Sequence, residues 1–219
     1  MLDFWHSRWQ NGQTGWHEAD GNVSLQHYWP ELAPGSRVLV PLCGKSADLL
    51  WLAQQGFHVV GVELSEIAAR SFFQEAGLSF ITTTDDGFTW FQCPEANITI
   101  ACGNYFEFGD QPFDALYDRA ALVALPPKLR PDYARHTRQL LKKGAFQLLI
   151  TLECDAVDIE GPPFSVMPDE VAGYWPDLQR VAQKNDIDNS PPRFREAGIN
   201  EVLEVVWISP NTQARTGGG

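Results

Sequence analysis

RVLVPLCGKSADLLWLAQQGFHVVGVELS, residues 37–65, decides the fold. An apolar run, RVLVPL, meets a turn holding one glycine, Gly44, and then a segment of helical periodicity, SADLLWLAQQ, closed by Gly56. A second apolar run, HVVGVEL, ends on an acid, Glu63. Strand, turn, helix, strand and acid in this order form half of a nucleotide-binding βαβ unit, with the ligand expected beyond the carboxyl ends of the strands, at the turn from Leu42 to Ser46. Gly44 has no Cβ to keep a ligand away from the backbone. A helix starting near Ser46 aims free amides and its positive dipole end at the turn. The same glycine can equally serve only to ease a strand-to-helix turn.

The spacing narrows the ligand. A dinucleotide fingerprint needs G-x-G-x-x-G to seat a pyrophosphate on the helix, and this turn has one glycine. Gly44-Lys45-Ser46 also lacks the first glycine of a Walker A loop, so Lys45-Ser46 reads as a helix start rather than a phosphate clamp. Glu63, roughly twenty residues past the turn, stands where an acid accepts both hydroxyls of an adenosine ribose. Its alternative use is to cap the helix that begins at Ser65 or Glu66. A one-glycine turn followed by a ribose acid favours a ligand with ribose and no pyrophosphate, and S-adenosylmethionine is such a ligand.

Outward from this stretch the alternation continues. SEIAARSFFQEA reads as a helix closed by Gly77, LSFIT and NITIAC as strands, FDALYD as a buried strand, PDYARHTRQLLKK as a helix ended by Gly144, and AFQLLITLEC as a long apolar strand. DDGFTWFQCPEA, between LSFIT and NITIAC, reads as a short hairpin or an excursion loop. GPPFSV is a proline-stiffened loop, PDEVAGYW a short helix with Pro168 in its first turn, and LQRVAQKN and EVLEVVWIS the remaining strands. Residues 1–35 form an aromatic lead-in with Trp5 and Trp9 at helical i, i+4 spacing, read as a cap. The NTQARTGGG tail is expected to be disordered.

Length and composition fit this pattern. The 219 residues, 44% hydrophobic, suffice for one α/β domain, placed at 1–208, with a full core and no need of disulfide or metal. A net charge of -12 repels a phosphate backbone and argues against a nucleic-acid partner. MLDFWHSRWQNG has no basic segment followed by an apolar run, and no window approaches the ~18 apolar residues of a membrane span, so a cytoplasmic protein is expected. Cys43, Cys93, Cys102 and Cys154 lack CxxC or Cys/His pairing, which indicates neither a zinc site nor a disulfide framework.

VLVPLCGKS, VVGVELS, FDALYDRAALVALPP and GPPFSV together resemble the bacterial thiopurine S-methyltransferases, in order and spacing, from Phe4-Trp5 to Trp207. The resemblance implies an α/β, Rossmann-like class I methyltransferase fold: a seven-stranded, mostly parallel sheet with helices on both faces, its last strand antiparallel, under an N-terminal helical cap. It implies methyl transfer from S-adenosylmethionine to the sulfur of small aromatic or heterocyclic thiols such as thiopurines. Detoxification, including that of selenium or tellurium compounds, is the role it suggests. By the same resemblance Leu42 touches the amino acid end of the cofactor at the Gly44 turn, Glu63 binds the ribose, and Trp5 and Trp9 lie in the cap over the methionine moiety. Asn104 and Tyr105 fall at the adenine. Arg119 stands near the reacting centre, among both the cofactor-binding and the catalytic residues, and Arg193, the second catalytic residue, faces the substrate. Trp16, in TGWH, replaces the phenylalanine that many relatives carry before histidine, and implies a differently shaped substrate pocket.

The chemistry needs little from the protein beyond placement. A thiolate is already a good nucleophile, so alignment of sulfur, carbon and leaving sulfur is the main task, worth up to roughly 7–11 kcal/mol. Water exclusion assists it. Arg119 can hold the acceptor as a thiolate or pair with Asp118 as scaffold, and Asp118 can orient it or cap the next helix. Phe4, Trp5, Trp9 and Trp16 can close over a planar ligand and a sulfonium, or simply pack. Cys43, near a helix N-terminus, sits where a thiolate is favoured, yet no histidine adjoins it. His17 and His58 show no partner.

Other readings make distinct demands. A base-modifying methyltransferase needs a basic face and an (N/D)PP(Y/F) turn where this chain reads DRAA. A nicotinamide enzyme needs the missing glycines. A non-catalytic nucleotide- or thiol-binding protein on the same fold is separated by turnover. A monomer is expected, with a small thiol as its only partner.

Overall fold

The computed structural model describes residues 2–11, 21–119, 121–155 and 161–210. Trp16, His17 and the 211–219 tail lie outside them, as do the side chains of residues 2–4 and 6. The chain forms two compact units, Met1–Ala115 and Leu116–Gly219.

In the first unit α1 (Leu2–Gln10) and α2 (Val23–Tyr28) precede β1 (Arg37–Pro41), α3 (Asp48–Gln54), β2 (His58–Glu63) and α4 (Glu66–Glu75). Next come β3 (Ile81–Asp85), β4 (Phe88–Cys93) and β5 (Ile98–Cys102), and β6 (Phe113–Asp118) runs across the division. The strands lie in the order β3-β4-β5-β2-β1. β2 pairs in parallel with both β1 and β5. Nearly every residue of these three strands is buried, as expected of parallel strands covered on both faces. Each fully buried valine, leucine or isoleucine there contributes about 1.5–3 kcal/mol.

The DDGFTWFQCPEA segment supplies the turn and second strand of a hairpin whose first strand, β3, starts at Ile81, three residues later than LSFIT suggests. β3 and β4 pair antiparallel about Asp86 and Gly87, both at positive φ, as a tight Asp-Gly turn requires. β4 then pairs antiparallel with β5. α4 starts as its sequence predicts: Ser65 accepts from the Ala68 amide at 3.4 Å, and Gly77 follows the helix at φ +67°. α3 starts at Asp48, two residues later than its sequence suggests, because Ser46 first spends its hydroxyl on the Asp48 amide.

The second unit holds α5 (Ala121–Ala124), α6 (Arg130–Leu140), β7 (Leu141–Glu153), α7 (Pro168–Tyr174), β8 (Gln179–Asn185), α8 (Arg193–Glu196) and β9 (Leu203–Ile208). β9 pairs antiparallel with both β7 and β8, so the last strand runs against its neighbour as expected. The strand count becomes nine among the described residues, not seven. The sheet is mixed, because the β3–β4 hairpin and β8 add antiparallel partners. α6 ends at Leu140, and β7 takes in Lys142, Lys143 and Gly144. The glycine expected to stop the helix lies inside the strand at φ +79°.

Candidate active site

β1 ends in a turn whose backbone is costly to build. Leu42 at φ +47° and Gly44 at φ +56° flank Cys43 in the left-handed region, and for leucine that conformation costs roughly 1–2 kcal/mol. Such strain persists only where neighbours hold it. Here the Cys43 amide donates to the Val62 carbonyl at 3.1 Å. The Gly44 amide donates to Glu63 Oε2 at 2.8 Å, and the Ser65 amide donates to Glu63 Oε1 at 2.9 Å. The Glu63 carbonyl accepts from the Gly103 amide at 2.9 Å. One residue, 6% exposed, therefore ties together the loops that follow β1, β2 and β5.

Absence of side chains defines the cradle. A Cβ on Gly44 would lie 3.3 Å from the buried Trp9 indole, so α1 packs directly on the turn. A Cβ on Gly61 would meet the Cys43 sulfur at 2.6 Å, and one on Gly103 would meet the Phe88 ring at 2.5 Å. Trp5, one turn before Trp9, is half-buried. Asn104 caps the short 3-10 turn Tyr105–Glu107: it accepts from the Phe106 amide at 3.2 Å and donates to Glu107 at 2.7 Å. Tyr105 is buried beside it.

Several side chains near the turn are settled by their contacts. Lys45 pairs with Glu75 at 2.7 Å, which agrees with its reading as something other than a phosphate clamp. The Cys43 thiol is pushed well up by burial, then by Glu63 and Cys102, so the expected favouring of a thiolate is reversed. Desolvation outweighs any helix end. At the opposite end of β1 and β2, where His58 lies beside Arg37, the His58 imidazole is lowered, first by burial and then by Arg37, against the opposing pull of Asp110. Asp48, fully buried, accepts from the Asn22 amide at 2.7 Å and anchors the start of α2.

In the second unit Asp118 ends β6 and caps α5. Its Oδ1 accepts from the amides of Ala121 at 3.0 Å and Leu122 at 3.3 Å, and its Oδ2 accepts from the Tyr133 hydroxyl at 2.7 Å. Burial, only partly offset by those donors, pushes its carboxyl up to about 6. Arg119 follows on the turn into α5, half-buried.

Arg130, 1% exposed, donates Nε to the Leu125 carbonyl at 2.9 Å, Nη2 to the Ser165 carbonyl at 3.1 Å and Nη1 to Glu170 at 2.7 Å. The Phe164 amide donates to the Val123 carbonyl at 2.7 Å, so the GPPFSV loop is bound to α5 and α6 together. Arg193, first residue of α8, donates Nη2 to the Pro162 carbonyl of that loop at 2.5 Å.

Of the residues singled out in the sequence, Trp9, Leu42, Gly44 and Glu63 come together, with Asn104 and Tyr105 following Gly103. Arg193 joins the GPPFSV loop. Trp16 falls outside the described residues. Asp48, Arg130 and Tyr133 escaped the sequence reading; their partners lie 15 to 40 residues away, and no local pattern marks such pairs.

The first unit fits an adenosine-bearing group. A carboxylate has about four acceptor positions, and the Gly44 and Ser65 amides take one on each Glu63 oxygen. Leu42 and Gly44 present main chain there without a side chain on the glycine. Among the described residues no cluster of His, Cys, Asp and Glu is arranged to hold a metal.

A βαβ turn with a strand-end acid, followed by a closing antiparallel strand, defines a Rossmann-like methyltransferase fold. Solved structures agree. A S-adenosylmethionine-dependent methyltransferase from Anabaena variabilis superimposes with a TM-score of 0.61 at 17% identity, over 95% of this chain and 94% of that one. The glycopeptide N-methyltransferase MtfA complexed with S-adenosylmethionine gives 0.56 at 14% identity, over 85% and 92%. The family model for thiopurine S-methyltransferase matches residues 1–211. The chain is 44% identical over 215 residues to the thiopurine S-methyltransferase of Pseudomonas syringae pv. tomato, covering 94% of this chain and 96% of the relative. It is 39% identical to that of Methylococcus capsulatus, covering 97% and 99%. The chain belongs to the thiopurine S-methyltransferase family; it is an S-adenosylmethionine-dependent methyltransferase.

Proposed function

We propose that this enzyme methylates the sulfur of small aromatic or heterocyclic thiols, thiopurines among them. The observation that carries the reading is the near full-length similarity to relatives named thiopurine S-methyltransferase. When bound, S-adenosylmethionine supplies a sulfonium-activated methyl group suited to in-line displacement.

The chain's own residues hold and align. Glu63 accepts the ribose hydroxyls while keeping the Gly44 and Ser65 amides. Leu42 offers main chain to the amino acid end, Trp5 and Trp9 cover the methionine portion, and Asn104 and Tyr105 border the adenine. Arg119 borders the methionine portion and holds the acceptor sulfur as thiolate, since a nearby cation favours the charged form. Arg193, fixed to the Pro162 carbonyl, and Trp16 line the acceptor side.

A role in detoxification, reaching to selenium and tellurium compounds, goes with broad acceptance of soft nucleophiles. The expected setting is a cytoplasmic monomer of one catalytic domain, without nucleic-acid partners; the net charge of -12 supports the last point. Among the described residues no helix is long and apolar enough to cross a membrane.

A methyl-acceptor screen read by mass spectrometry tests the reading. Trideuteromethyl donor is incubated with thiopurines, thiophenols, selenols, aliphatic amines and phenols. Label on sulfur or selenium and none on nitrogen or oxygen is expected. Transfer confined to amines or phenols would overturn the thiol assignment.

A further inference from the structure

Arg119 stands between two points that a single carboxylate holds. Asp118 precedes it, and the Ala121 and Leu122 amides that follow it both donate to Asp118 Oδ1. Asp118 is thus tied to Ala121 and Leu122 through its own side chain. α5 is only four residues long, far too short to be stable by its own hydrogen bonds, so this tie decides where the turn lies.

The carboxylate is held in turn from α6. Tyr133, fully buried, donates its hydroxyl to Asp118 Oδ2 at 2.7 Å, and its ring packs edge-on to Trp175 at 6.5 Å. A phenylalanine would fill the same space, so the ring alone does not account for a tyrosine. Hydrogen bonds to a charged acceptor are about twice as strong as neutral ones.

We propose that Tyr133 is a positioning residue for methyl transfer: by holding the Asp118 carboxylate it fixes the β6–α5 turn that carries Arg119. The inference rests on the role proposed above for Arg119. It goes further in assigning part of that arginine's placement to a phenol that touches neither donor nor acceptor.

The titration of Asp118 gives a readout that packing alone would not. Tyr133 from α6 and the amides of Ala121 and Leu122 from α5 all favour the ionised form, while burial opposes it. Arg119 is the adjacent charge along the chain. Removing the phenol's hydrogen bond leaves burial less opposed, so the carboxyl takes up a proton at higher pH. A proton on Oδ2 leaves Oδ1 a neutral carbonyl that holds the Ala121 and Leu122 amides more weakly than a carboxylate does, and the turn loosens.

The test compares wild type, Tyr133→Phe and Arg119→Ala across pH 5–9, with kcat and both KM values. For Tyr133→Phe we expect kcat at neutral pH to fall roughly tenfold, KM for S-adenosylmethionine to stay within about twofold, and the acid limb of the kcat profile to move up by about 0.7 of a pH unit. 3-Fluorotyrosine at position 133, a stronger donor of the same shape, moves that limb down and serves if the phenylalanine variant does not fold. An unmoved acid limb with wild-type kcat, alongside a depressed Arg119→Ala, overturns the role of Tyr133 alone. Full turnover in Arg119→Ala overturns the arginine's role and this inference with it.

Discussion

Glu63 closes β2 and Asp118 closes β6, and each is a buried carboxylate that accepts two main-chain amides. Their partners differ. Glu63 reaches sideways: one oxygen holds the turn after its own strand, the other the glycine turn after β1. Asp118 reaches forward only, to the first residues of α5 and to a phenol on α6. An acid that spans two strand-end turns stands at the rim where a ligand arrives in an α/β sheet. An acid closed by a helix start and a buried hydroxyl is committed to shape. The same residue chemistry at the same kind of position thus serves scaffolding at Asp118 and, in the function proposed above, recognition at Glu63.

The largest effect that can break this contrast is on stability. Asp118→Ala orphans two amides and one phenol, each costing about 1–3 kcal/mol when buried unpaired. Urea unfolding is expected to show a loss of roughly 3 kcal/mol or more. Glu63→Ala orphans two amides and no phenol, so its loss is expected to be smaller by the phenol's share.

The pH dependence of stability sharpens the same point. The Asp118 carboxyl is held up to about 6 in the folded chain, against about 3.9 when unfolded. Between these values the folded state binds the extra proton, so this group's contribution is fully present below pH ~4 and is lost as pH rises through ~6. Its full span is about 3 kcal/mol. Wild type is therefore expected to lose stability relative to Asp118→Asn between pH 4 and pH 7, by unfolding at matched ionic strength. A constant difference across that range would contradict the assignment.

Arg119→Ala comes next, with turnover falling roughly 10²-fold, the size seen when one group that stabilises a reacting charge is removed. Its affinity for S-adenosylhomocysteine is expected to change by less than that. The smallest effect belongs to Lys45→Met. Its partner Glu75 is largely exposed, so the loss is within about 1 kcal/mol, and cofactor affinity measured by calorimetry stays unchanged.

Local regions were legible in the sequence and distant ones were not. The path from β1 through Gly44 and α3 to Glu63 is written in neighbouring residues, as are the helix closures at Gly56 and Gly77. The Asp86-Gly87 turn lay in a segment legible only as either a short hairpin or an excursion loop. Gly144 misled, because the helix had ended at Leu140 and the strand absorbed the glycine. α8, four residues long, has no period to detect. On the site side, a strand-end acid can be read from spacing alone, whereas the three carbonyl and carboxylate partners of Arg130 come from the α5–α6 connection, the GPPFSV loop and α7. No window of sequence contains them.

The most direct test of the contrast is a thermodynamic cycle at Glu63. Calorimetry would compare S-adenosylhomocysteine with its 2′,3′-dideoxyribose analogue on wild type and on Glu63→Gln. Wild type is expected to bind the dideoxy analogue more weakly by about 1.5–3 kcal/mol, and Glu63→Gln to discriminate between the two ligands by much less. Equal discrimination by both proteins would mean that Glu63, like Asp118, only holds the fold.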